Sequence, residues 1–123
     1  MAQNILLVNS MRTIIAGSRT ITDYELVTEA IHNSGFSITE VICGGAKGVD
    51  ELGAKWAENN NATIVYVRAR WDVFGKSAGY KRNEAMAHLA DAAIVIHNNS
   101  PGSLHMIVIA KKFGLIVFEK VVL

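Results

Sequence analysis

Short apolar runs alternate with helical patterns along this chain, regularly enough to predict a fold. Thr13–Ala16 (TIIA) is apolar and β-branched, and GSRT interrupts it. Thr22 followed by Glu25 reads as a capping box, after which Tyr24, Val27, Ala30 and Ile31 recur at helical spacing as far as Gly35. Ile38–Cys43 predicts a second strand, and Val49, Leu52, Trp56 and Ala57 mark a second helix ending in the polar run Glu58–Asn61. Ala62–Val67 predicts a third strand. A longer loop, RARWDVFGK, then leads into a third helix from Ser77 to Leu89, with Ala78, Ala85, Met86 and Leu89 facing inward. Ala92–His97 predicts a fourth strand. Ser100 and Pro101 suit the N-cap and first position of a fourth helix that runs to Phe113, before Gly114. Leu115–Glu119 completes the pattern as a fifth strand.

Strands that are apolar almost throughout, separated by helices, belong to a parallel sheet covered on both faces. The expected fold is therefore a Rossmann-like three-layer α/β sandwich with a mainly parallel central sheet of about five strands. Residues 11–123 read as a single domain. Residues 1–10 leave two alternatives: Asn4–Val8 is an extra edge strand hairpinned through Asn9-Ser10, or the segment is an extension ahead of an original start at Met11.

At 123 residues, half of them hydrophobic and 19% charged, the chain has an ordinary globular composition. A net charge of +1 argues against general nucleic-acid or membrane-surface binding through bulk charge, so nucleic acid is not the expected partner. The single cysteine, Cys43, excludes an internal disulfide and fits a reducing, cytoplasmic compartment. No apolar run approaches the ~18 residues of a membrane span, and the first residues lack a secretory pattern. His32, His88, His97 and His105 have no metal-ligand spacing with Cys43, so neither a metal nor another cofactor is expected.

In such a chain every strand-to-helix loop lies at the carboxyl edge of the sheet, where open α/β folds bind ligands. These loops hold nearly all the suggestive residues: Gly17-Ser18-Arg19, Gly44-Gly45-Ala46-Lys47-Gly48, Trp71 through Arg82, and Asn98 through Ser103. A glycine loop entering a helix N-terminus offers free N–H groups and a positive dipole end, which suits phosphate. Gly44–Gly48 and Ser100–Ser103 both have this arrangement. Neither matches the dinucleotide or P-loop spacing. Between Arg68 and Arg82, five cations (Arg68, Arg70, Lys76, Lys81, Arg82) face one acid, Asp72, with Trp71, Phe74 and Tyr80 interleaved; this mixture suits phosphate contact and base stacking. Arg82 and Asn83 fall in the second turn of their helix, within reach of the sheet edge. Asp50, near a helix N-terminus, is a dipole partner, a ribose-hydroxyl acceptor or a general acid/base. Asp91 reads as structural.

Three stretches, IIAGSRTITDYELV (14–27), VICGGAKGVDELGAKWA (41–57) and WDVFGKSAGYKRNEAM (71–86), resemble the YspA-like branch of the SLOG superfamily. DAAIVIHNNSPGSLHMIVIAKKFGL (91–115) extends the resemblance over nearly everything from Met11 onward. The W…G-K-x-A-G-x-x-R-N string is its most specific part. The resemblance implies a Rossmann-like fold and a nucleotide or nucleotide-derived ligand, bound by a sensor, carrier or sequestering protein. Its better-known relatives include the cytokinin-activating phosphoribohydrolases and the DNA-processing protein A family, which binds single-stranded DNA. Gly44, Gly45 and Gly48 match the first glycine motif of the superfamily. Gly102-Ser103 stands where the second usually has Gly-Thr. The phosphoribohydrolases place a catalytic glutamate three residues after that threonine, where this chain has Met106. Methionine is neither acid nor base, so the expectation is binding, with N-glycoside hydrolysis (Asp50 as acid/base) and single-stranded nucleic-acid binding as alternatives. A homo-oligomer, dimer or larger, is also expected. The expected ligand-binding set is Gly17, Ser18, Arg19, Gly44, Gly45, Ala46, Lys47, Gly48, Asp50, Trp71, Lys76, Arg82, Asn83, Gly102 and Ser103.

Overall fold

The computed structural model describes residues 10–123. The alternatives for the N-terminal extension fall on residues 1–9 and lie outside the described residues. In chain order the elements are β1 (Met11–Gly17), α1 (Tyr24–Ser34), β2 (Ile38–Cys43), α2 (Val49–Asn59), β3 (Thr63–Tyr66) and a one-turn α3 (Trp71–Phe74). A 3-10 turn (Gly75–Ser77) follows, then α4 (Ala78–Leu89), β4 (Ala92–His97), α5 (Pro101–Lys112) and β5 (Ile116–Val121). All four strand pairings are parallel, in the order β3-β2-β1-β4-β5. This is the expected Rossmann-like three-layer sandwich.

The period-two alternation of strand side chains divides the core in two. Ile15, Val41, Ile94 and Ile96 face one way, against Val27 and Ile31 of α1 and Val49 and Ala57 of α2. Ile14, Ile42, Ala93 and Val95 face the other, against Met86 of α4 and Met106, Ile109 and Ala110 of α5. β4 is buried at every position, as a central strand covered on both faces must be. Each fully buried isoleucine or valine contributes roughly 1.5–3 kcal/mol. At the amino edge of the sheet, Asp91 accepts from the backbone N–H of Arg12 at 3.0 Å and from its guanidinium at 3.2 and 3.1 Å. That hydrogen bonding holds the Asp91 carboxyl below its usual range and ties β1 to the start of β4. Asp91 is structural, far from the loops at the opposite edge.

Several local expectations are corrected. The N-cap of α1 is Asp23, not Thr22: its Oδ1 accepts from Leu26 N at 3.2 Å, so the Thr22–Glu25 box does not form. β3 and β5 start one residue later than expected because Ala62 N and Leu115 N bond to the ends of the preceding helices, at Ala57 O and Ala110 O. β5 also runs on to Val121, which pairs with His97. The loop before α4 contains a helical turn. Within α4, Ala85 and Leu89 are exposed, and the buried positions are Ala78, Asn83, Met86 and Ala87. The helix is turned so that a polar residue, Asn83, faces in, because its amide finds partners on α5.

β1 ends against β4 with no room for a side chain. A Cβ on Gly17 would lie 1.9 Å from the carbonyl oxygen of Ile96 and 2.8 Å from Val49. Gly17→Ala should therefore lose about 3 kcal/mol or more in urea unfolding. Gly79→Ala meets only Trp71, at 3.7 Å, and should stabilise α4 by up to about 1 kcal/mol.

Candidate functional site

The strand order reverses between β1 and β4, so the loops that follow them diverge to opposite faces and leave a crevice at the carboxyl edge. A cleft of about 480 Å³ occupies this place. From the β1 loop come Gly17, Ser18, Arg19 and Thr20; from the β2 side, Ala46 and Asp50; from the segment leading into α4, Trp71, Lys76, Tyr80, Arg82 and Asn83. Asn98, Ser100, Gly102, Ser103 and Met106 close the remaining wall.

The entry to α5 is the most organised part. Ser100 is its N-cap but makes no side-chain capping bond. Instead Ser100 Oγ lies 2.7 Å from Ser18 Oγ and 2.7 Å from Ser103 Oγ, a chain of three hydroxyls that joins the β1 loop to the helix. Ser18 Oγ also accepts from Asn98 N at 3.0 Å. Pro101 has no N–H to offer, and a Cβ on Gly102 would meet nothing within 4 Å, so the first turn of α5 fronts open space. Asn83 Nδ2 donates to Gly102 O at 3.2 Å and to His105 Nδ1 at 3.0 Å, fixing α4 against this turn. The proton of His105 therefore sits on Nε2, and its ring packs on Tyr80 with centroids 4.3 Å apart. Burial lowers the His105 pKa, with a smaller opposing effect from Glu84.

The glycine loop between β2 and α2 serves differently from its expected place on the wall. Gly48, at φ 75°, brings its backbone against the carbonyls of Ser18 and Arg19, where a Cβ would lie 2.5 Å from both oxygens. Gly44 lies beneath the Arg82 guanidinium and Gly45 beneath Arg68. Of residues 44–48, only Ala46 reaches the cleft; Gly44, Gly45, Lys47 and Gly48 do not. Gly45 instead lines a smaller cavity of about 310 Å³ that shares Asp50 with the cleft and continues along Lys55, Tyr66 and Arg68. Arg82 Nη1 donates to Gly44 O at 3.3 Å, while its Nε is buried without a protein partner.

Asp50 is the one carboxylate on the cleft wall, 4% exposed, accepting from Ala46 N at 3.2 Å. Burial raises its pKa; the Ala46 N–H and the nearby Arg82 charge pull the other way. Burial, aided by the Asp50 charge, also pushes the Cys43 thiol up to about 11, so it is a neutral core side chain and no nucleophile. Met106, 1% exposed, lies on the cleft floor. Trp71 and Tyr80 are about half exposed on the rim. His97 is fully buried and off the cleft wall. Thr20 and the Asn83–His105 contact are site features that the residue pattern does not single out. They follow from the pairing of distant loops, for which the polar run Asn98-Asn99-Ser100 is the only local signal.

The fold favours neutral His105, so its stability contribution is present above the ordinary histidine range. It declines as pH falls through that range, where the unfolded chain takes up a proton that the folded one resists. His105→Asn, which keeps an acceptor for Asn83, should flatten the fall in Tm between about pH 7 and pH 5 followed by circular dichroism.

Among the described residues no helix is long and apolar enough to cross a membrane. A family model for the YspA, cpYpsA-related SLOG family matches residues 11–74. Gene 61 protein of Mycobacterium phage D29 is 32% identical over 119 residues, covering 88% of this chain and 94% of that protein. The fold is similar to DNA processing protein A (DprA) from Streptococcus pneumoniae, with a TM-score of 0.73 at 21% identity. That superposition covers 92% of this chain but 51% of the DprA chain, so this chain spans about half the length of DprA. The family model covers more than half of the chain, which therefore belongs to the YspA, cpYpsA-related SLOG family.

Proposed function

We propose that the cleft binds a nucleotide or nucleotide-derived ligand and that the protein acts as a sensor, carrier or sequestering protein for it. The observation that carries this reading is the uncapped start of α5, open above Gly102 and flanked by the three linked serines. An uncapped helix N-terminus favours an anion, and Arg19, Lys76 and Arg82 supply positive charge on the same walls. Trp71 and Tyr80 offer exposed rings to a base at the rim. Gly44–Gly48 acts in this reading as the support that seats Arg82 and the β1 loop. Self-association is part of the proposal, since Leu104 and Val108 stand exposed one turn apart on α5.

Turnover is not expected. The cleft's one carboxylate, Asp50, is committed to Ala46 N–H, and Met106 provides neither acid nor base. The exposed aromatics favour a second reading, single-stranded nucleic-acid binding: Trp71 and Tyr80 stand on the cleft wall beside Lys76, and outside it Arg68 lies over Tyr66 and Lys81 over Phe74, all four rings at least 44% exposed.

Calorimetry against nucleoside mono-, di- and cyclic phosphates and ADP-ribose derivatives should find a binder. Arg82→Ala should weaken it by about 10- to 100-fold. Gly102→Val, placed in open space, should leave the Tm unchanged and abolish binding. No binding across the panel sinks the reading. Release of free base on incubation would replace it with hydrolysis through Asp50, and salt-dependent oligonucleotide binding alone would favour the second reading.

A further inference from the structure

We propose that His97 and Glu119 form a latch that sets the shape of the Asn98–Ser100 loop and thereby the readiness of the α5 N-terminus for a ligand. His97 ends the central strand β4, is fully buried, and touches none of the cleft surface. Both ring nitrogens are nevertheless engaged. Nδ1 lies 3.0 Å from the backbone N of Asn99, and Nε2 lies 2.6 Å from Glu119 Oε2 on β5. A backbone N–H can only donate, so Nδ1 carries the lone pair and the ring proton sits on Nε2, where the Glu119 carboxylate accepts it. The carboxylate thus fixes the tautomer that the loop requires.

Asn99 adopts φ 71°, the left-handed conformation that asparagine tolerates better than most residues with a side chain. Its amide is held by His97, while the neighbouring Asn98 is held by Ser18 Oγ through its N–H and by Thr20 Oγ1 through its side chain. The next residue is Ser100, the N-cap of α5 and the middle of the hydroxyl chain. An edge strand is in this way connected to the ligand-facing helix turn: Glu119 to His97, His97 to Asn99, Asn99 to Ser100. His97 is a positioning residue, acting through the loop and not on the ligand. The ligand half of this inference rests on the reading of the cleft as a nucleotide site; the loop half does not.

Asparagine places an acceptor near the position of Nδ1, and glutamine reaches the position of Nε2, so His97→Asn and His97→Gln separate the two contacts. In the ligand-free wild type, ¹⁵N spectra should show His97 protonated at Nε2 alone, and the Asn99 amide should be protected from hydrogen exchange. His97→Gln should lose that protection; His97→Asn should keep it. With adenosine 5′-monophosphate as the probe, followed at the Gly102 and Ser103 amides, His97→Gln should bind about tenfold more weakly. His97→Asn should stay within about threefold of wild type. Glu119→Ala, on an exposed edge strand, should fold and show proton density at Nδ1 with faster Asn99 exchange, which keeps the test available if a His97 variant does not fold. A wild-type Nδ1 proton, an unprotected Asn99 amide, or equal behaviour of the two His97 variants overturns the latch. If the wild type does not bind the probe, the nucleotide reading loses that ligand, and the tautomer and exchange results decide the latch by themselves.

Discussion

The close approach of β1 and β4 at the carboxyl edge governs the rest of the site. Gly17 lets the end of β1 lie against the Ile96 carbonyl, and Ser18 N donates to that same oxygen at 3.1 Å. With the two strands locked together, their following loops must turn to opposite faces, since α1 covers one side and α5 the other. The cleft exists because of that divergence. Any side chain at position 17 would wedge the strands apart and move Ser18, and with it the hydroxyl chain to Ser100 and Ser103.

Polar groups within this crevice are arranged as a scaffold with one side left open. Ser18, Asn83 and Ser103 are nearly or fully buried, yet each has a hydrogen-bond partner, as burial demands. Arg82 Nε and the uncapped first turn of α5 are the contrasting positions, with donor capacity left over. A surplus of donors concentrated on one wall is a reason to look for an anion there. The charge of the whole chain, +1, conveys nothing of this, because Arg19, Lys76 and Arg82 converge locally while most acids lie elsewhere.

Glycines at 44, 45 and 48 illustrate how one sequence feature can serve two structural purposes. They were expected to approach a ligand, and they do make close approaches, but to Arg82, to Arg68 and to the backbone of the β1 loop. The missing side chains let two arginines and a neighbouring loop fold down over the glycine turn. Their effect on the cleft is exerted through Arg82 and Ser18, both of which stand on its wall.

Strand and helix order, the parallel sheet and the edge that carries the strand-to-helix loops were all legible in the chain, because two-residue and 3.6-residue periodicities are local and buried strands such as Ala92–His97 need no partner to be recognised. Gly17, Ser18, Arg19, Trp71, Lys76, Arg82, Asn83, Gly102 and Ser103 were also legible as edge residues, since a strand-to-helix loop has only one place to go. Element ends were less so: whether Thr22 or Asp23 caps α1, or where β5 starts, depends on which of two adjacent groups finds a partner. The rotation of α4 was hidden because Asn83 faces inward only once Gly102 and His105 are there to receive it. So was the role of His97, whose partners Asn99 and Glu119 are brought together by the pairing of β4 with β5. Local periodicity therefore determined the layers and the edge that carries the loops. Tertiary packing alone decided which polar atoms meet there, because hydrogen-bond partners far apart in the chain leave no mark on the residues between them.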